Sequence, residues 1–227
     1  MARNLRRLSS ALVAFLALTA VATSTASAKE FEFWSDGGTV TVFRGESKPM
    51  VSEKWKFDGG ELQCKQATYQ GTQGGEKTQA LILSPQFENC TFGALEAEVH
   101  DNGCTFKFDQ DNNTENGKFD AVTKITCGEN QEITVTAKEG ATVACTIHIP
   151  EQELGTGTVF TNKENDENIK YYEVDISLSS IKYSQTEGAG SKKCSTADNK
   201  NNGTFTATPI IRGYAEGGIT ETDVWVA

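Results

Sequence analysis

The chain has 227 residues, with 21 basic and 31 acidic side chains, a formal net charge of −10 and 37% hydrophobic residues. Three of the basic residues and none of the acidic ones fall in the first 28 positions. The remaining 199 residues therefore carry 18 basic against 31 acidic side chains, a formal charge of −13. A field of that sign repels phosphate backbones and anionic headgroups, which excludes nucleic acid as the expected partner.

In chain order, the first element reads as a secretory signal peptide over residues 1–28. Arg3, Arg6 and Arg7 form a positive n-region, Leu8 to Val21 an apolar h-region, and Ala26-Ser27-Ala28 supplies small residues before Lys29. The apolar run is too short, and too broken by Ser and Thr, for a membrane span, and no Cys follows it for a lipid anchor. The expected product is one secreted, extracellular β domain over residues 29–227, with no integral membrane insertion after cleavage.

From there on, hydrophobicity alternates with a period of two rather than 3.6. Phe31-Glu32-Phe33, Thr39 to Val42, and Trp55 and Phe57 between lysines start the series. Leu95-Glu-Ala97-Glu-Val99 continues it, although Ala and Glu are helix formers and make this the weakest strand assignment. Ile133 to Ala137, Val143 to Ile149, Tyr172 to Leu178, Thr204 to Ala207 and Val224-Trp225-Val226 follow. Turn formers separate the runs at Asp58-Gly59-Gly60, Gln73-Gly74-Gly75, Asp101-Asn102-Gly103, Asn199 to Gly203 and Glu216-Gly217-Gly218. Asn102-Gly103 between two alternating runs is the sharpest hairpin signal. The pattern predicts an all-β fold of about a dozen short strands, an antiparallel β-sandwich or barrel-like sandwich. The acidic stretch Asn162 to Asn168 is the best candidate boundary, should a second subdomain exist.

Six cysteines, at Cys64, Cys90, Cys104, Cys127, Cys145 and Cys194, are an even number in an exported chain and point to three disulfides out of fifteen possible pairings. Facing favours one pair. In a hairpin of Gly103–Asp109 with Lys118–Cys127 over a loop at 110–117, pairing Phe108 with Thr123 puts Phe106 opposite Ile125 and Cys104 opposite Cys127 on one face. Chain neighbourhood suggests Cys64–Cys90 and Cys145–Cys194 for the others.

Catalytic signals are thin. His100 precedes a turn and His148 lies on the outward phase of a strand, neither in a metal-ligand spacing. Ser191 lacks the frame that holds a nucleophile on an elbow. The residues Asp109, Asp111, Asn113, Glu115 and Asp120 offer hard oxygens at alternating positions, like the front of a calcium loop, so calcium is the one cofactor considered. Thr114 and Asp120 stand where an EF-hand needs Gly and a bidentate Glu, and a polar hairpin loop explains the stretch equally. Core packing is the default for Trp34, Trp55 and Trp225, since a sugar platform needs at least two of them exposed on one face. The sequons at Asn89, Asn112 and Asn202 carry no weight beside a bacterial-looking signal.

Several landmarks together resemble a group of uncharacterised secreted β-rich, disulfide-containing actinobacterial proteins. They are Cys64 to Thr72, Leu83 to Cys90, Asn102 to Phe106, Ile125-Thr-Cys127, Cys145 to Gln152 and Asn202 to Ala207. The resemblance spans most of the exported part and implies export, paired cysteines and a bacterial source, with no site to transfer. The leading expectation is a secreted non-enzymatic protein with a binding, adhesive or envelope-associated role, partnered by a cell-envelope component or glycan. An extracellular hydrolase of polysaccharide or peptide is the first alternative, marked by a cleft with convergent carboxylates or a His beside a nucleophile. A carbohydrate-binding module is the second, marked by aromatics aligned on one face.

Overall fold

A computed structural model describes residues 31–115, 117–189 and 196–227, with the backbone alone for 112–115. The segment 1–28, expected to be a signal peptide, and Ser191 and Cys194 lie outside the described residues. Every regular element among them is a strand. The first nine are β1 (Phe33–Ser35), β2 (Val40–Ser47), β3 (Glu53–Phe57), β4 (Gly60–Gly74), β5 (Lys77–Thr78), β6 (Ala80–Phe92), β7 (Leu95–His100), β8 (Thr105–Glu115) and β9 (Lys118–Thr126). Then come β10 (Glu132–Glu139), β11 (Thr142–Pro150), β12 (Gln152–Glu164), β13 (Lys170–Glu187), β14 (Ala197–Ala207), β15 (Pro209–Tyr214), β16 (Glu221–Thr222) and β17 (Val224–Val226).

Among the described residues there are seventeen strands where about a dozen are expected, and several are long: β13 has 18 residues and β4 has 15. Fourteen strands form one antiparallel sheet, and the organising device is tandem pairing along its long members. β2 and β3 lie end to end along β4, while β7 and β8 do so along β6. β13 carries β11 and β12 on their own pairings and β14 and β15 on theirs. β4 pairs with β6, β8 with β9, and β7 with β10. β9 and β10 pair onward with β12 and β11, and β15 and β14 return to β2 and β3.

Tandem pairing explains two departures from the sequence pattern. Asn102 and Gly103 do adopt left-handed φ values of 50° and 78°, and the Cys104 amide closes the turn on the Asp101 carbonyl. The strands they join do not pair with each other. Both pair with β6, β7 at Cys90↔Ala97 and β8 at Leu83↔Phe106, so the turn is a two-residue excursion in one path. Likewise Asn199 to Gly203 is not a turn between strands. It lies within β14, where Asn199 has φ 48° and the register against β13 slips three times. Turn-forming residues here make bulges, which add twist without ending a strand.

The stretch 162–168 closes the β12/β13 hairpin, with Asn165 Oδ1 accepting from the amides of Glu167 and Ile169. The β8/β9 register pairs Phe106 with Ile125 and Phe108 with Thr123. The loop expected at 110–117 is shorter, because β8 continues to Glu115 through a bulge between Gln110 and Thr114. Disulfides join Cys104 to Cys127 and Cys64 to Cys90, the latter two being register partners on β4 and β6. Cys145 is also disulfide-bonded.

Alternation sends one face of each strand inward. Trp55 stacks with Phe57 and Phe106, lies tilted against Phe205 and meets Phe87 edge-on, forming one aromatic centre. Phe33, Phe108, Phe160 and Tyr172 form another. Each such buried ring contributes about 1.5–3 kcal/mol through removal from water. A small sheet of β17, β1 and β5 covers the second group, burying Phe33, Ser35, Val224 and Val226. The Tyr172 hydroxyl donates to the Trp34 and Trp225 carbonyls of this sheet.

Candidate functional site: an outer face of paired rings and cations

Phe33, Ser35, Val224 and Val226 face inward, so the period of two turns Trp34 and Trp225 outward. They are direct register partners, half-buried, with ring planes 14° apart and centroids 6.0 Å apart. That separation with near-parallel planes is an offset stack. Lys77 Nζ lies 5.2 Å from the Trp34 ring and Lys170 Nζ 5.3 Å from the Trp225 ring, within the reach of cation–π attraction. Lys77 also pairs with Glu32 at 2.9 Å. Only Trp55 is a core residue, 1% exposed. The core reading of Trp34 and Trp225 is therefore corrected: both sit on the outer side of a covering sheet.

The same motif recurs on the outer face of β2, β15 and β13. The Arg44 guanidinium lies 4.8 Å from the Tyr214 ring, and the Arg212 guanidinium 4.8 Å from that of Tyr171. Arg44 and Arg212 are register partners, and Arg212 pairs with Glu221 at 2.9 Å. Beside them is a depression of about 270 Å³, whose lining includes Glu46, Thr68, Gln70 and Ile210. Sequence reasoning missed this arrangement. Its one visible signal was the spacing of Arg212 and Tyr214 on an outward phase.

The calcium candidates are strung along a hairpin rather than gathered in a loop. Asp109 pairs with Lys107 at 2.7 Å and Lys124 at 3.2 Å, and Lys124 also reaches Glu153. Partial burial works against ionisation of Asp109, yet the hydrogen bonds and charges of the two lysines hold its carboxyl below the usual range. Asp120 lies on β9 opposite Val159, Asp111 lies on β8, and the side chains of Asn113 and Glu115 fall outside the described ones. No group of three or more His, Cys, Asp or Glu residues able to hold a metal ion occurs among the described residues.

The two histidines share one cross-strand row, His100–Thr134–His148–Ser184. His148 Nδ1 lies 2.5 Å from Glu132 Oε1, while His100 is 3.7 Å from Glu98. A depression of about 460 Å³ lies here, lined by residues including Glu132, Lys182, Ser184, Asn199 and Lys200.

On the inward phase of β3, Glu53 is 1% exposed. Its carboxyl accepts hydrogen bonds from the Tyr69 hydroxyl at 2.5 Å and the Ser47 hydroxyl at 3.0 Å. Burial pushes its pKa from the ordinary 4.5 to about 7, against the opposing pull of those two donors. Burial, and then the neighbouring carboxylate, push Tyr69 well above its ordinary range. Glu53 was legible in principle, since it shares the inward phase of Trp55 and Phe57.

No protein-family model, curated protein or solved structure matches the chain.

Proposed function

We propose that this is a secreted bacterial protein that works by binding rather than catalysis, in or near the cell envelope. Its strands form an antiparallel barrel-like sandwich, a reading supported by the return of β15 and β14 to β2 and β3. The observation that carries the binding role is the outer face, where four aromatic rings are each matched by a cation: Trp34, Trp225, Tyr214 and Tyr171. Rings and guanidinium groups are the side chains most often responsible for affinity at protein surfaces. A glycan is the partner favoured by Trp34 and Trp225 sharing one face, because ring edges and flanking ammonium groups suit hydroxylated surfaces.

The test uses the full chain, exported and purified in oxidised form, and co-sedimented with cell-envelope fractions. Retention should fall at least fivefold in Trp34→Ala/Trp225→Ala, measured at a temperature where melting curves show the variant still folded. Wild-type protein that stays in the supernatant, with a melting temperature unmoved by envelope fractions or glycans, would remove this reading.

A second reading, an extracellular hydrolase, draws on Glu132, His148 and Ser184. The Glu132 contact at Nδ1 orients the imidazole as a base, and Ser184 is its register partner. No hydrogen bond joins Ser184 to His148 among the described residues, so the nucleophile is unengaged. A serine-directed fluorophosphonate that labels wild type but not Ser184→Ala would establish the hydrolase and displace the binding protein.

A further inference from the structure

We infer that the depression beside Arg44 on the outer face of β2, β4 and β15 is a binding site for an acidic saccharide, with Arg44 receiving the sugar's carboxylate. This rests on the binding reading above and gives it a ligand class.

Arg44 and Arg212 stand directly opposite each other, an arrangement of like charges that works against strand pairing unless something compensates. Arg212 is compensated by Glu221 at 2.9 Å. Arg44 has no carboxylate within ion-pairing distance among the described residues. Of the two facing arginines, Arg44 is therefore the one open to an external anion.

Arg44 is also held in place. Its guanidinium lies over the Tyr214 ring on one side. On another, it comes so close to Gly218 that a Cβ there would sit 2.7 Å from one of its terminal nitrogens. Gly218, at φ 68°, is thus a position where a side chain would displace the guanidinium. A guanidinium fixed by its face keeps its in-plane N–H groups for a planar acceptor, and a carboxylate matches that fork with two parallel hydrogen bonds. Fixing the group beforehand removes part of the ordering cost of binding.

The surroundings select a sugar over a bare anion. Arg212, Arg44 and Gln70 form one cross-strand row, and Ile210, Glu46 and Thr68 form the next. Gln70 and Thr68 can donate to and accept from hydroxyls, and Ile210 offers an apolar contact for ring C–H groups. The Glu46 carboxylate accepts hydrogen bonds from hydroxyls, which a bare anion does not offer. Between the rows, Gly45 lets β2 sink inward: a Cβ there would meet Tyr69 Cβ at 2.9 Å. At about 270 Å³, the depression lies just below the usual range of ligand sites, about 300 to 1,000 Å³, and suits a single ring.

The test is calorimetric and NMR titration of the purified full chain with sodium D-glucuronate, D-glucose, acetate and inorganic phosphate. Glucuronate should bind at least tenfold more tightly than glucose, acetate or phosphate, with amide shifts at Arg44, Gln70 and Thr68. Arg44→Ala should lose at least tenfold in affinity, Arg44→Lys should lose most of that, and Tyr214→Phe should bind as wild type. Melting curves for each variant establish that it is folded. Equal binding of glucose and glucuronate, equal binding of phosphate or acetate, or wild-type affinity in Arg44→Ala would each overturn the assignment. Envelope retention that depends on Trp34 and Trp225 alone would overturn this site and leave the binding function standing.

Discussion

The buried Tyr69 hydroxyl donates to Glu53 Oε2 at 2.5 Å, joining β4 to β3 through a carboxyl that burial keeps protonated up to about pH 7. The unfolded chain releases that proton near the ordinary 4.5. Between those two values the folded state therefore holds more protons, and stability falls as pH rises. The contribution is fully present below pH 4.5 and lost as pH passes through about 7. A displacement of that size corresponds to about 3 kcal/mol across the window. Glu53→Gln keeps an acceptor for Tyr69 and cannot ionise. Urea denaturation at pH 4.5, 6 and 8 should show the variant gaining on wild type steadily with pH. A difference that stays constant across those values would mean that Glu53 titrates normally.

Cys104 and Cys127 close a segment at a sequence separation of 23, and Cys104 is fully buried. In the chain-entropy view, a loop of this length restrains the unfolded state by about 3.5 kcal/mol. Cys104→Ala/Cys127→Ala, which leaves no buried hydroxyl, should lower the urea midpoint by an amount equivalent to about 2–4 kcal/mol. The β8/β9 register is also held by Phe106 and Phe108, so the far-ultraviolet spectrum should stay that of a β protein. A loss below about 1 kcal/mol would assign the pairing to packing rather than to the covalent link.

The strands were legible because burial on one face imposes a period of two, and even the helix-prone Leu95 to Val99 follows it in β7. The register at Phe106–Ile125 was legible for the same reason: a slip of one residue would have turned both outward. Tandem pairing was not legible. Whether Asn102-Gly103 makes a hairpin or an excursion depends on β6 being long enough to receive both β7 and β8, a property of residues 80–92 and not of the turn. The outer site was hidden by long range: Arg44 and Tyr214, or Trp34 and Trp225, meet only because chain ends far apart in sequence share neighbouring strands. Aromatics at a strand's edge look alike in sequence whether the covering sheet buries them or sits beneath them.

Trp34 and Trp225 supply a direct energetic test of that outer stack. Offset aromatic pairs contribute about 0.5–1.5 kcal/mol beyond the area they bury. A double-mutant cycle of Trp34→Ala and Trp225→Ala should return a coupling in that range. Lys170→Ala should weaken Trp225 separately, by about 0.5–1 kcal/mol, the amount of an exposed cation–π contact. Zero coupling would show two rings that are adjacent without supporting each other.

The C-terminal strand has an anchor that is independent of its aromatic ring. Asn162 on β12 donates from Nδ2 to the Val226 carbonyl and accepts at Oδ1 from the Val226 amide, both at 2.8 Å. One side chain thus serves the free edge of β17 as a paired strand would, while β1 serves the other edge at Phe33. Asn162→Ala leaves both backbone groups of Val226 to water that reaches them only in part, so about 1–3 kcal/mol should be lost. Asn162→Asp keeps the acceptor but sets a carboxylate against the Val226 carbonyl, and should fall at least as low. Amide hydrogen exchange distinguishes this local anchor from a global effect. The Val226 amide should exchange much faster in Asn162→Ala under conditions where the Phe205 amide, in the aromatic centre, exchanges as slowly as the reduced global stability allows. An unchanged rate at Val226 would mean that the pairing with β1 alone holds the strand.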